Sequence, residues 1–157
     1  MTADTPAIEG LRASGVSFRV ARTERARSAE ESAGFQGIDV EQLIRTIVVR
    51  RGEADYVFVL VPGGRQIDWP SLRSHLGVKR LSLPDQDEAR DATGYERGAI
   101  TPFASATTWP VVADATVAER DVVAIGAGAH GVNVHLASAD LVRLLDADVA
   151  AVTKPAD

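Results

Sequence analysis

Cysteine is absent from the 157 residues, so the chain can form no disulfide and carries no thiolate for nucleophilic attack or metal ligation. Long apolar runs are absent too, and none approaches the ~20 residues that a helix needs to cross a bilayer. The first ten residues contain neither the basic segment nor the apolar segment of a secretion signal. We therefore expect a cytoplasmic protein with no membrane partner.

Positive charge is limited as well, since the formal net charge is -5. A dedicated nucleic-acid-binding protein normally has a strong basic excess, so this balance argues against one. It leaves room for a protein that contacts only the tip of an RNA. Of the 17 basic residues only Lys79 and Lys154 are lysine. This bias resembles that of a GC-rich genome, which offers a simple origin for any single arginine.

The remaining composition is that of a globular protein, with 45% hydrophobic residues. A chain of this length can bury roughly 70% of the surface that it exposes when unfolded. No internal repeat, low-complexity tract or linker divides it. We predict one domain over residues 1–157, with a few loose residues at each end.

Cap residues and hydrophobic periodicity predict a mixed α/β fold with a curved sheet and helices around it. The predicted helices run from Thr5-Pro6 to Gly15, from Ser28 to Gly34, from Trp69 to His75, from Pro84 to Ala92 and from Ser138 to Leu145. The predicted strands are Val16–Val20, Ile47–Val49, Tyr56–Val61, Gln66–Asp68, Val78–Leu83, Val111–Ala113, Val122–Ile125 and Val132–Leu136.

The segment Gly126–Gly131 fits the letters of the dinucleotide fingerprint GxGxxG. That fingerprint requires a following helix whose N-terminus can hold the pyrophosphate. Here Val132–Leu136 alternates between apolar and polar residues, as a strand does. We therefore interpret the glycines as a turn between two antiparallel strands and expect no nucleotide cofactor.

The three histidines lack the spacing of metal ligands, so we expect no metal site. We expect His75 to lie on the surface or in ordinary packing. His135 alternates with Val134, which places it towards solvent or a cavity. His130 lies on the glycine turn and is the histidine with the strongest claim to a functional role.

The segment Thr93–Phe103 contains two glycines and a proline and predicts an irregular, fixed loop. One interpretation is a surface connection in which glycine supplies a positive φ and proline supplies rigidity. The other is a loop whose N–H groups point into a pocket, as in an oxyanion hole. The residues by themselves do not decide between these two interpretations.

This loop, with Gly94 and Gly98-Ala99-Ile100-Thr101-Pro102, resembles the GxxxP loop of the YbaK and prolyl-tRNA-synthetase-associated domain family. The resemblance extends over essentially the whole chain. Similar segments follow in family order: the Thr5-Pro6 helix, Ser28–Gly37, Gln42–Val49, Leu76-Gly77 and Gly126–Gly131 followed by Ala137–Leu145.

The resemblance implies a mixed α/β domain whose central, mostly antiparallel sheet is curved and barrel-like. It also implies hydrolysis of mischarged tRNA, with removal of a small wrong amino acid such as Ala or Cys from a proline tRNA. The partners would be the aminoacyl-tRNA acceptor end and an aminoacyl-tRNA synthetase. The implied catalytic residues are Arg45 and Gly98, and the implied substrate contacts are Thr46, Ile47, Ala99, Ile100, Thr101, Pro102, Gly128 and His130.

On this hypothesis amides around Gly98–Thr101 stabilise the oxyanion, water attacks, and Ile100 with Ile47 limits the size of the amino acid. Arg45 departs from the family, which usually has lysine at this position. Arginine keeps the charge and a fork of donors but cannot act as a neutral base. The alternative is a binding module that holds an aminoacyl ligand or tRNA end without hydrolysis.

Overall fold

The structure, a computed structural model, describes residues 4–156. In chain order its helices are α1 (Pro6–Ser14), α2 (Ala29–Gln36), α3 (Trp69–Leu76), α4 (Gln86–Thr93) and α5 (Ser138–Leu144). Its strands are β1 (Phe18–Arg22), β2 (Leu43–Gly52), β3 (Asp55–Pro62), β4 (Arg65–Ile67), β5 (Val111–Asp114), β6 (Val122–Ala129), β7 (Val132–Ala137), β8 (Asp148–Ala150) and β9 (Thr153–Pro155). Short 3-10 turns precede β2 and follow β5. The predicted mixed α/β class is confirmed.

Seven strands form one sheet in the order β1-β7-β6-β2-β3-β5-β8, and β4 pairs with β9 in a separate ribbon. Three neighbouring pairs in the large sheet are antiparallel and three are parallel, namely β2 with β6, β3 with β5 and β5 with β8. Within residues 4–156 the outer strands β1 and β8 do not pair, so the sheet does not close. The expected mostly antiparallel, barrel-like sheet is therefore corrected to an open, mixed one, because crossover connections bring β5 and β8 in parallel.

Both faces of the central strands are buried. Alternate residues of β2 face opposite sides, with Ile44 and Val48 in one core cluster and Val49 in the other. Helix α1 covers the first face through Ile8 and Leu11, and α5 also packs there. Helix α3 covers the second face. This two-sided burial holds β2 rigidly, and β2 forms one wall of the site described below.

Caps set the helix bounds largely as the sequence predicts. The Thr5 and Ser28 hydroxyls accept hydrogen bonds from the amides of Ile8 and Glu31, which begin α1 and α2. The prediction that α2 ends by Gly34 is wrong, because Gly37 is the residue that adopts the left-handed conformation, with φ 70°.

Two segments differ from the sequence-based expectation. Residues 78–83 form no strand, because among the described residues only Ser82 pairs with the sheet, through backbone hydrogen bonds of 2.8 and 3.1 Å with Arg50 of β2. The C-terminal residues expected to be loose form β8 and β9. The carboxylate of Asp114, buried to 1% exposure, accepts hydrogen bonds of 2.9 Å from the amides of Val152 and Thr153 and holds them in place.

Candidate active site

A cleft of about 940 Å³ opens beside the middle of the large sheet. Its floor is formed by the first half of β2 and by the β6–β7 hairpin. Its walls are the segment 23–32, which leads into α2, the start of α4 with the residues before it, and the loop that follows α4. Five separate parts of the chain therefore meet around one space large enough for a small ligand.

The loop after α4 contains a tight turn. The Ala99 amide donates a 2.9 Å hydrogen bond to the Glu96 carbonyl, and Gly98 at the third position has φ +87°. These values fit a type II turn, which requires a residue with positive φ at this position. Among residues 4–156, no oxygen accepts a hydrogen bond from the amide of Gly98 or Ile100. Both residues line the cleft and neither amide has a partner in this part of the chain, whereas the Ala99 amide is already bonded to Glu96.

The loop and the β6–β7 hairpin interlock through two glycines. The His130 ring on the hairpin lies against Gly98, where a Cβ would be 3.0 Å from Cε1. The Tyr95 ring on the loop lies against Gly128. The Tyr95 hydroxyl also donates a 2.6 Å hydrogen bond to the Phe103 carbonyl, and burial raises the pKa of this phenol. These contacts fix the turn against the floor of the cleft.

On β2, Arg45 and Thr46 extend to opposite faces of the strand. The guanidinium of Arg45 donates through Nη2 to the carbonyl of Arg65, while its buried Nε has no partner within residues 4–156. Burial lowers the pKa of Arg45, an effect that the charge of Glu30 partly offsets. The Thr46 hydroxyl is also buried and lacks a partner among the described residues.

The structure brings six of the expected site residues together on the cleft and places four behind it. The cleft is lined by Arg45, Thr46, Ile47, Gly98, Ile100 and His130. The four that do not line it are Ala99, Thr101, Pro102 and Gly128. Thr101 is fully buried, and its hydroxyl accepts a 3.4 Å hydrogen bond from the Phe103 amide. Ala99, Thr101 and Pro102 belong to the loop after α4, whereas Gly128 belongs to β6 and lies against Tyr95.

Several cleft residues carry no signal in the sequence. Arg25, Arg27, Leu83 and Arg97 lie on loops and look like ordinary surface residues until the fold brings them together. A sequence pattern could have found none of them, because all four lie in irregular segments without hydrophobic periodicity.

The expectation that His135 faces solvent or a cavity is wrong, because its side chain is buried and extends from β7 to residues of β1 and α2. Its Nδ1 lies 2.9 Å from Arg19 Nη2 and its Nε2 lies 2.8 Å from Gln36 Oε1. Burial lowers the pKa of His135, and the positive charge of Arg19 lowers it further. A neutral ring that accepts from Arg19 and donates to Gln36 satisfies both contacts, and it ties α2 to the sheet.

Neither a metal centre nor a membrane span is found in residues 4–156. No group of three or more histidine or acidic side chains converges there as metal ligands would. None of the five helices has the length and apolar character to cross a bilayer.

Comparisons with known proteins identify relatives of this chain and of its fold. The chain is 24% identical over 136 residues to the "Putative Cys-tRNA(Pro)/Cys-tRNA(Cys) deacylase EbsC" of Enterococcus faecalis, covering 87% of this chain and 83% of that protein. It is 28% identical over 117 residues to the proline–tRNA ligase of Staphylococcus aureus strain Newman, covering 73% of this chain but only 20% of the ligase. The crystal structure of hypothetical protein APE2540 superposes with a TM-score of 0.87 at 24% identity, covering 95% of this chain and 99% of that one.

The family profile described as the aminoacyl-tRNA editing domain matches residues 23–144, a range that contains every cleft residue. The resemblance inferred from the glycine loop and the segments around it is thereby confirmed. This chain belongs to the aminoacyl-tRNA editing domain family.

Proposed function

We propose that this protein hydrolyses the ester bond of mischarged aminoacyl-tRNA and acts in trans, as a separate editing deacylase. The observation that carries the proposal is the Gly98 turn, which lines a cleft in an editing-domain fold and whose Gly98 amide, like that of Ile100, has no partner within residues 4–156. The substrate is a proline tRNA that carries a small wrong amino acid. The relative named as a Cys-tRNA(Pro) deacylase supports this choice.

The chemistry requires little from the side chains. Water adds its oxygen to the carbonyl carbon of the ester, and the carbonyl oxygen becomes an oxyanion that the Gly98 and Ile100 amides can stabilise. Collapse of this intermediate breaks the bond between the carbonyl carbon and the ribose oxygen. That oxygen takes a proton from the attacking water, so the products are a free amino acid and the tRNA 3′ end.

The apolar residues of the cleft supply a size limit. Ile100 and Ile47 approach it from the loop and from β2, and both are half-buried, so their side chains cannot move freely aside. One methylene group more or less in such a pocket changes discrimination by about 10- to 200-fold. Small amino acids should therefore be removed faster than bulky ones.

The test is a single-turnover assay with proline tRNA charged with Ala, Ser or Cys, and with correctly charged prolyl-tRNA as the control. Release of at least one small amino acid should exceed the spontaneous rate by several orders of magnitude, while prolyl-tRNA remains intact. If all four substrates decay at the spontaneous rate, the proposed activity is wrong.

One observation favours a second candidate, a module that binds the aminoacyl end without hydrolysis. The Arg45 guanidinium is bonded to the Arg65 carbonyl and, as a permanent cation, cannot accept a proton from water. A binding module would retain affinity for the charged tRNA 3′ end while failing the assay above.

A further inference from the structure

The arginine side chains that lack a partner are concentrated at the cleft. Most side chains form an ion pair or hydrogen bond within residues 4–156, for example Arg51 with Asp55 and Arg120 with Asp39. Five arginine side chains form none in that range, and three of them line the cleft. The five are Arg25, Arg27, Arg73, Arg80 and Arg97.

Two of these arginines stand where the cleft meets a second cavity of about 340 Å³. Arg25, on the segment before α2, and Arg97, in the Gly98 turn, line both spaces, together with Gln86 and His130. Both arginine side chains are exposed, so they can turn towards either space.

Three of the nearby carboxylates have contacts of their own. In the second cavity Asp87 lies 3.7 Å from Arg90, and Glu96 Oε2 lies 3.8 Å from Nε2 of His130. In the cleft, Asp85 accepts a 2.8 Å hydrogen bond from the Glu88 amide at the start of α4. Glu24 also lines the cleft, and within residues 4–156 it forms no ion pair with either arginine. Arg25 and Arg97 therefore hold no carboxylate among the described residues and can bind an anion from outside the protein.

We propose that Arg25 and Arg97 clamp a backbone phosphate of single-stranded RNA at its aminoacylated 3′ end. The amino acid would enter the cleft past the Gly98 turn, and the strand would continue over the second cavity. Guanidinium groups suit this task because their paired donors match phosphate oxygens. A local basic site is also needed, because a chain with net charge -5 repels RNA elsewhere. The identity of the RNA rests on the proposed function, whereas the phosphate contact itself does not require hydrolysis.

The first experiment measures binding of uncharged proline tRNA to the whole protein by fluorescence anisotropy at several salt concentrations. Arg25→Gln and Arg97→Gln should each weaken the Kd by roughly tenfold, as expected for loss of one charge-assisted phosphate contact. Each should also reduce the slope of log Kd against log salt by about 0.7, the value for one contact to a single strand. Arg73→Gln is the matched control, because Arg73 on α3 is also unpaired but lines neither cavity. It should bind like the wild type.

The second experiment compares hydrolysis of alanyl-tRNA with that of alanyl-adenosine, an ester without a phosphate. Both variants should raise KM for the tRNA by roughly tenfold, and this increase should exceed any change in the rate on the small ester, which has no phosphate to hold. The clamp would be overturned if the double variant Arg25→Gln/Arg97→Gln kept the wild-type Kd and salt slope. It would also be overturned if Arg73→Gln weakened tRNA binding as much as the two cleft variants do. Retained tRNA binding with no hydrolysis would instead overturn the proposed function and leave the clamp intact.

Discussion

The Tyr95 ring packs so closely against Gly128 that a Cβ added to this glycine would lie 2.7 Å from Tyr95 Cε1. Gly128 also has φ +92°, a conformation that L side chains rarely adopt. The contact joins the loop after α4 to the β6–β7 hairpin. A second contact joins the same two segments, because His130 of the hairpin packs against Gly98 of the loop. The geometry of the cleft thus depends on two glycines in two distant segments.

Gly128→Ala should lower the free energy of unfolding by about 2–4 kcal/mol, because it adds backbone strain to an overpacked contact. Thermal or urea unfolding measures the change. Gly10→Ala is the control, since Gly10 lies in α1 with nothing within 4 Å of its added Cβ. That control should be neutral or stabilising by up to about 1 kcal/mol. Equal stability of the two variants would contradict the packing described for Tyr95.

Much of the fold follows from local signals in the sequence, and the exceptions have physical causes. The hairpin of β6 and β7 could be predicted because Val132–Leu136 alternates after a glycine segment, but the turn is shorter than the predicted Gly126–Gly131, since β6 continues with a bulge to Ala129. The sequence predicts the start of β2 four residues too late, at Ile47 rather than Leu43, because Arg45 and Thr46 interrupt the apolar pattern. Strand β8 has only three residues and exists through its pairing with β5, which no local pattern reveals.

The candidate site was predictable where it consists of special backbone and unpredictable where it consists of ordinary side chains. Gly98 stands out in the sequence because a glycine near a proline indicates a constrained loop. The exposed arginines at Arg25 and Arg97 do not stand out among fifteen arginines. Only the three-dimensional arrangement places them beside the same space.

Gly98→Ala should reduce the single-turnover rate of deacylation by about 10²–10³-fold, the usual effect of losing one oxyanion donor. The added Cβ would disfavour the positive φ and press on His130, so the turn and its amides would shift. Because Gly98 is exposed, the protein should remain folded, which thermal unfolding and circular dichroism can establish. Gly34→Ala, in α2 beside the cleft, is the control and should keep full activity. A folded Gly98→Ala protein with the wild-type rate would refute the role of this turn.

His135 should make stability depend on pH in the range below neutrality. Its folded-state pKa is lowered from 6.5 by burial and then by Arg19, so the unfolded chain takes up a proton more readily. The stabilisation is therefore complete above about pH 6.5 and is lost as the pH falls towards the folded-state pKa. The wild-type Tm should drop between pH 7.5 and pH 5.

The variant His135→Gln should be less stable at pH 7.5 by about 1–2 kcal/mol, because the contacts with Arg19 and Gln36 are weakened. The stability difference between His135→Gln and the wild type should shrink as the pH falls, since the variant has no imidazole to protonate at this position. His75→Gln, which removes an exposed histidine that lies 2.6 Å from Asp148, is the matched control for loss of a histidine elsewhere on the protein. A difference between wild type and His135→Gln that is constant with pH would show that this ring does not titrate as inferred.

Arg45 and Thr46 give opposite expectations from adjacent positions on β2. Thr46→Val removes a buried hydroxyl that has no partner among the described residues, so stability should be unchanged or slightly higher. If a bound substrate uses that hydroxyl, activity should fall while the Tm does not. Unchanged activity would remove Thr46 from the set of substrate contacts.

Arg45→Ala should lose most of the deacylation activity, by roughly 10- to 100-fold, because it removes a charge-assisted contact worth about 1.5–3 kcal/mol. Arg45→Lys should keep a substantial part of the activity or raise it, because an ammonium keeps the charge. The lysine ammonium is also smaller than the arginine guanidinium, which donates a hydrogen bond to the Arg65 carbonyl. The measurement is single-turnover deacylation of Ala-, Ser- and Cys-charged proline tRNA, with the Tm of each variant recorded alongside.

The two variants separate the possible roles of this residue. If the wild type is active and Arg45→Ala is equally active, Arg45 only braces the strand through the Arg65 carbonyl. The Tm of Arg45→Ala should then be lower than that of the wild type. If Arg45→Lys alone is active, the natural protein is a binding module, because the guanidinium holds the ester without promoting attack by water. If the wild type is active and Arg45→Ala is not, the cation holds the substrate directly, and the rate should then follow charge at this position rather than side-chain shape.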